Sequence, residues 1–186
     1  GKLGVLDEAN GKETVTGGVI TGGKGYPFHL ISSTVNCGGG VYIASGGQLT
    51  MTGGNIIGCS AEFGGGVCIY PRQNGEQIQF SMSGGSIIGC SAEYGGGVYA
   101  SGKFQMSGQA VIRSCTAESA TQFVCGGGVY VNRISTFTMS GGEISENKSI
   151  RSSYSALNGA GVGIDAKGKV VISGNAVVRN NTAAGA

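Results

Sequence analysis

Gly38-Gly39-Gly40-Val41-Tyr42-Ile43 decides the fold, because it returns. It recurs as GGGVCI at 64–69, GGGVYA at 95–100 and GGGVYV at 126–131, and in degenerate form as GAGVGI at 159–164. A second phrase follows each copy: LTMTGG at 49–54, FSMSGG at 80–85, FQMSGQ at 104–109, FTMSGG at 137–142 and VVISGN at 170–175. The glycines before the recurring valines are Gly40, Gly66, Gly97, Gly128 and Gly161, spaced 26, 31, 31 and 33 residues apart. A more degenerate copy runs from Gly4-Val5-Leu6 to Val15-Thr16-Gly17-Gly18. Repeats of this length mean a solenoid, a propeller or an array.

Each unit holds three short apolar runs. In 38–63 these are Val41-Tyr42-Ile43, Leu49-Thr50-Met51 and Asn55-Ile56-Ile57. All are too short for helices, and Gly or Ser punctuates their ends. Side chains alternate faces along a strand, so Val41, Val67, Val98, Val129 and Val162 form one inward column. Met51, Met82, Met106, Met139 and Ile172 form another. Tyr42, Cys68, Tyr99, Tyr130 and Gly163 lie between inward positions and are expected to point outward, leaving Cys68 exposed. Three strands per unit, each pairing with its equivalent one unit later, make an all-β parallel β-helix of about six coils. At one strand spacing per coil, the stack would be about 29 Å long. A propeller blade needs four antiparallel strands and more residues. The chain reads as one domain over 1–186, with a degenerate first coil at 1–37, regular coils at 38–158 and a last coil at 159–186. Insertions fall at turns, at 71–77, 121–124 and 150–157. The stretch 24–36, with Pro27 and His29, reads as a lateral loop.

Composition agrees with this. Glycine accounts for 39 of 186 residues without a strict three-residue period, while 40% apolar residues is too many for a solvated coil. A net charge of +2 with no basic cluster argues against nucleic acid as a partner. No apolar run is long enough for a membrane-spanning helix. A start at Gly1 rather than Met reads as a mature or excised segment.

After the third run comes Cys59-Ser60-Ala61-Glu62, then Cys90-Ser91-Ala92-Glu93 and Cys115-Thr116-Ala117-Glu118; Asn147 and Asn181 hold the same place later. Asn columns at β-helix corners stack their amides from coil to coil. Cys59, Cys90, Cys115, Asn147 and Asn181 are therefore expected to form one buried corner ladder. The six cysteines have no zinc-ligand spacing. Stacked in-register cysteines run parallel, which favours free thiols over a Cys59–Cys90 disulfide. Asn147-Lys148-Ser149 and Asn180-Asn181-Thr182 match glycosylation acceptors.

The GGGVYV phrase, the Phe-x-Met-Ser-Gly-Gly phrase and the Asn-Thr-Ala corner together resemble the right-handed parallel β-helix repeats of bacterial surface proteins, which share the pectin-lyase-like fold. Ile144-Ser145-Glu146-Asn147 and Val177-Val178-Arg179-Asn180 are similar to polymorphic outer membrane protein repeats. The resemblance covers nearly the whole chain; the cysteine corners depart from it. It implies an extracellular or cell-surface location and a structural or adhesive role. It also leaves open a carbohydrate-binding or polysaccharide-degrading module, since this fold serves both.

Candidate sites are weighed on that frame. Pectin-lyase-like enzymes gather carboxylates on a lateral face, and this chain has only ten acidic residues and no visible nucleophile–base pairing. The expectation is no catalytic residue and no cofactor. Glu62, Glu93 and Glu118 stack just past the corner, where mutual repulsion invites a cation, or where they are simply repeated surface residues. Tyr42, Tyr99 and Tyr130 could present rings to sugars of host or cell-surface glycans, or could serve only as good strand residues. The Thr and Ser flanking each Met form a hydroxyl face, read either as an ice-binding array or as cross-strand pairing. The expected partners are end-to-end copies of the chain or flanking coils of a longer one.

Overall fold

A computed structural model describes residues 12–29, 34–71, 78–119, 126–151 and 159–185. It is an all-β, parallel β-solenoid of about five turns, with no helix among the described residues. The count is one fewer than the six coils expected from the sequence. The earliest repeat contributes only Lys12–Val15 and Val19–Thr21, and its Gly4-Val5-Leu6 run lies outside the described residues.

Three parallel sheets make the wall. The first stacks Val41–Ile43, Val67–Ile69, Val98–Ala100, Val129–Val131 and Val162–Ile164. Its register places Val41, Val67, Val98, Val129 and Val162 in one column. The second has ten strands, from Lys12–Val15 to Val177–Arg179. The third stacks Ser91–Ala92, Thr116–Ser119, Lys148–Arg151 and Thr182–Gly185.

This division corrects the sequence reading in one respect. The Leu49-Thr50-Met51 and Asn55-Ile56-Ile57 runs belong to one sheet, and in two coils they form single strands, Gln48–Ile57 and Gln79–Ile88. Gly53 and Gly54 bend the strand without ending it, and the register slips there between Met51 and Asn55. The third sheet comes instead from the residues just past the corner.

The bore is apolar and ordered by columns. Phe80, Phe104 and Phe137 stack nearly parallel, with centroids 4.9 and 4.8 Å apart. That spacing is set by the distance between parallel strands. Leu49 continues the column above them and Val170 below. Met51, Met82, Met106 and Met139 form the neighbouring column, and Ile56, Ile87, Ile112 and Ile144 a third, all buried.

The described parts of the stretch 24–36 are not irregular. Tyr26–His29 pairs antiparallel with Thr34–Cys37, so a hairpin projects sideways. Parallel bridges Lys24–Ser60 and Cys37–Phe63 fix both of its feet to the next coil. The side chain of His29 and the insertions expected at 71–77, 121–124 and 150–157 fall wholly or almost wholly outside the described residues.

Candidate functional site

The three glycines of each phrase have three separate causes. The first is left-handed: φ is +62° at Gly38, +63° at Gly64, +66° at Gly95 and +65° at Gly126. Only glycine adopts this without strain. The second lies against the backbone of the next coil; a Cβ on Gly96 would sit 2.5 Å from Gly127 O. The third faces the corner residue across the bore. A Cβ on Gly40, Gly66 or Gly97 would stand 3.4 to 3.5 Å from the Sγ of Cys59, Cys90 or Cys115, and 2.5 to 2.7 Å from an isoleucine Cγ2. On Gly128 it would meet Asn147 Nδ2 at 2.9 Å, and on Gly161 Asn181 Nδ2 at 2.7 Å. The opening phrase and the corner ladder are thus two sides of one packing unit.

The ladder itself is built as the sequence implies. Asn147 Nδ2 donates to Ile112 O at 3.1 Å, and Asn181 Nδ2 donates to Ile144 O at 3.0 Å. The cysteines aim at the same carbonyl one coil back: Cys59 Sγ at Ile20 O (4.0 Å), Cys90 Sγ at Ile56 O (3.8 Å) and Cys115 Sγ at Ile87 O (3.7 Å). Each thiol also lies 3.3 to 3.5 Å from the carbonyl two residues before it. All three are free and buried. Burial pushes the Cys59 thiol up; the Cys90 contact, then burial, does the same to Cys115. The raised Cys59 and Cys115 thiols are suited to donate and not to act as nucleophiles, while the Cys115 contact, against burial, pulls the Cys90 thiol down. Asn147 is fully buried in the ladder, so its acceptor motif is not accessible to a glycosyl donor in this fold.

The tyrosine column corrects a second expectation. Tyr42, Tyr99 and Tyr130 point away from the bore, yet they are 3%, 4% and 8% exposed, and Cys68 is 0% exposed. They belong to a second hydrophobic core on the outer face of the first sheet, with Val35, Cys37 and Ala44, and with Phe63, Tyr70 and Tyr94 packed against it. Phe63 and Tyr94 stack at 5.2 Å, and Tyr99 and Tyr130 at 5.5 Å. The cover comes from the lateral hairpin and from the residue before each triple glycine. A sugar platform needs open ring faces, and this column does not offer them. The signal that could have revealed the second core is the run Val-Tyr-Ile itself, apolar on both faces, as strands buried on both sides are.

Glu62, Glu93 and Glu118 do share a column. Ser60 pairs with Ser91 and Phe63 with Tyr94, and Thr116–Ala117 pairs with Ser91–Ala92. They do not converge. Glu62 Oε2 accepts the Asn36 N–H at 3.3 Å, Glu93 Oε2 accepts the Ser119 hydroxyl at 3.3 Å, and Glu118 is exposed. Burial, with a lesser push from Glu93, raises the Glu62 carboxyl above its ordinary range, against the pull of the Asn36 N–H. Among the described residues no group of three or more His, Cys, Asp or Glu is placed to hold a metal.

The hydroxyl column lies on the second sheet, broken by Gln105 and Val171, and part of it pairs internally. Gln79 Nε2 donates to Ser81 Oγ at 2.7 Å and to Gln105 Oε1 at 3.0 Å. On the last coil the core columns come to the surface: Ile164, Ile172 and Val178 are 42% to 51% exposed. Compared with protein-family models, curated proteins and solved structures, the chain matches none.

Proposed function

We propose that this chain is a non-enzymatic structural β-solenoid: a rod segment or fibre subunit of an extracellular or cell-surface assembly. The observation that carries the reading is the last coil. Its Ile172 and Val178 continue the methionine and isoleucine columns in register, and they stand exposed. A coil of the same kind set on that face would extend both columns and three backbone ladders at once. The contact would repeat the geometry of every other coil pair in the molecule. The surface location rests on the resemblance of the repeat phrases to bacterial surface β-helices.

The test is light scattering of the purified chain over a range of concentrations, with electron micrographs of the same samples. Association that grows with concentration, and that Ile172→Asp abolishes, supports end-to-end assembly. A monodisperse monomer at every concentration removes self-assembly and leaves the lateral faces as the functional surface. Release of unsaturated uronates from acidic polysaccharides, read by ultraviolet absorbance, would overturn the non-enzymatic reading.

A further inference from the structure

The outer core repeats a diagonal contact. The residue before each triple glycine reaches the middle strand residue of the next coil. Phe63 meets Tyr99 edge-on at 5.0 Å, and Tyr94 meets Tyr130 at 5.6 Å. The same step one coil earlier joins Cys37 to Cys68. Both register lines fix it: Cys37 pairs with Phe63, which pairs with Tyr94, while Cys68 pairs with Tyr99, which pairs with Tyr130. The glycine turn sets the reach, because a Cβ on Gly38 would lie 2.8 Å from Tyr42 Cα, and Tyr42 is the strand partner of Cys68.

We propose that Cys37 and Cys68 are a redox-sensitive pair, which oxidation joins in a disulfide that staples the foot of the lateral hairpin to the next coil. The pair differs from the corner cysteines in one geometric respect. Cys59, Cys90 and Cys115 hold equivalent positions in successive coils, so their Cα–Cβ bonds run parallel and their thiols turn to carbonyls. Cys37 and Cys68 hold non-equivalent positions, on the diagonal that Phe63 and Tyr99 occupy one coil on. Where neighbouring coils fill this diagonal with two aromatic rings, here there are two free thiols, both fully buried in the outer core.

The chemistry balances with a low-molecular-weight disulfide such as oxidised glutathione as the oxidant. One cysteine thiolate attacks it, forming a mixed disulfide and releasing one glutathione thiolate. The second thiolate then attacks the protein-bound sulfur and releases the other. Two protein thiols are oxidised, one glutathione disulfide is reduced, and the two protein protons pass to solvent and the released thiolates. Burial raises the Cys68 thiol, which keeps its thiolate scarce and slows the exchange.

The experiment equilibrates the intact chain with oxidised glutathione, counts free thiols under denaturing conditions and maps disulfides in a non-reducing digest. The expected result is a loss of two thiols and a single joined peptide pair, Cys37 with Cys68. The apparent melting temperature should rise by about 5–10 °C, because a loop of about 30 residues is closed. Cys68→Ser should lose neither thiol count nor gain stability under the same oxidant. If Cys37 and Cys68 both remain alkylatable, if either stops at a mixed disulfide with glutathione, or if the bond joins other cysteines, the proposal is overturned.

Discussion

The corner at coils with cysteine and the corner at coils with asparagine solve the same problem with different chemistry. Both place a small donor inside the bore, opposite a glycine, aimed at the carbonyl one coil back. The asparagines also accept. Asn147 Oδ1 takes the Cys115 N–H at 2.9 Å, and Asn181 Oδ1 takes both the Asn147 N–H and its Nδ2, each at 2.9 Å. In the cysteine coils the backbone N–H of the preceding corner is turned to sulfur: that of Cys59 to Cys90, and that of Cys90 to Cys115. Sulfur is a weak donor and a weak acceptor. The fold therefore demands a shape and a polarity at this position, and the strength of the bonds is free to vary.

That difference predicts an order of losses. Asn147→Ala removes the partners of Cys115 N–H and Ile112 O, and one of the two donors to Asn181 Oδ1, inside a closed bore, and should cost about 3 kcal/mol in urea unfolding. Cys90→Ala removes only weak sulfur contacts and a small packed atom, and should cost about 1 kcal/mol. Cys90→Asn should recover that loss, since Gly66 leaves the same opening that Gly128 leaves to Asn147. Equal costs for Asn147→Ala and Cys90→Ala would mean that the corner is a matter of packing alone.

A smaller effect lies one step past the corner. The inward column of the third sheet reads Ala92, Ala117, Ser149, Ala183. Ser149 is fully buried, and its Oγ has no hydrogen-bond partner. The neighbouring alanines show what the space accepts. Ser149→Ala should stabilise the chain by about 1 kcal/mol, measured by the same unfolding curve. A loss of stability would mean that a bound water satisfies the hydroxyl.

Much of this was legible in the sequence, for a physical reason. Strand register in a solenoid copies the repeat, so aligning the GGGV phrases already stacks Val on Val and Met on Met. The corner ladder followed from the same alignment. Sheet membership did not, because Gly53-Gly54 is a strand end in most contexts and here is a bend within one ladder. Burial of Tyr42, Tyr99 and Tyr130 did not follow either. Their cover comes from Val35 of the lateral hairpin and from Phe63 and Tyr70 outside the strands, whose spacing in the chain is irregular. Alternation says which way a side chain points. It does not say whether that direction leads to water.

The residue just before the corner gives the finest version of the comparison. It is left-handed in every coil: φ is +60° at Gly58 and Gly89, +54° at Ser114, +58° at Glu146 and +55° at Asn180. The two upper corners carry glycine there, and the lower three carry residues with a Cβ. A left-handed residue other than glycine costs about 1–2 kcal/mol, which asparagine partly offsets. Ser114 has one weak compensation, an exposed hydroxyl bond to Glu146 Oε2 at 3.3 Å. Space is not the obstacle, because a Cβ on Gly58 or Gly89 would meet nothing within 4 Å. Ser114→Gly therefore relieves backbone strain and gives up a little entropy in the unfolded chain, for a net gain of about 0.5 kcal/mol. Gly89→Ser should lose a similar amount. If both substitutions were neutral, the left-handed turn would be held by the corner bonds alone, and the choice of residue before Cys or Asn would carry no structural meaning.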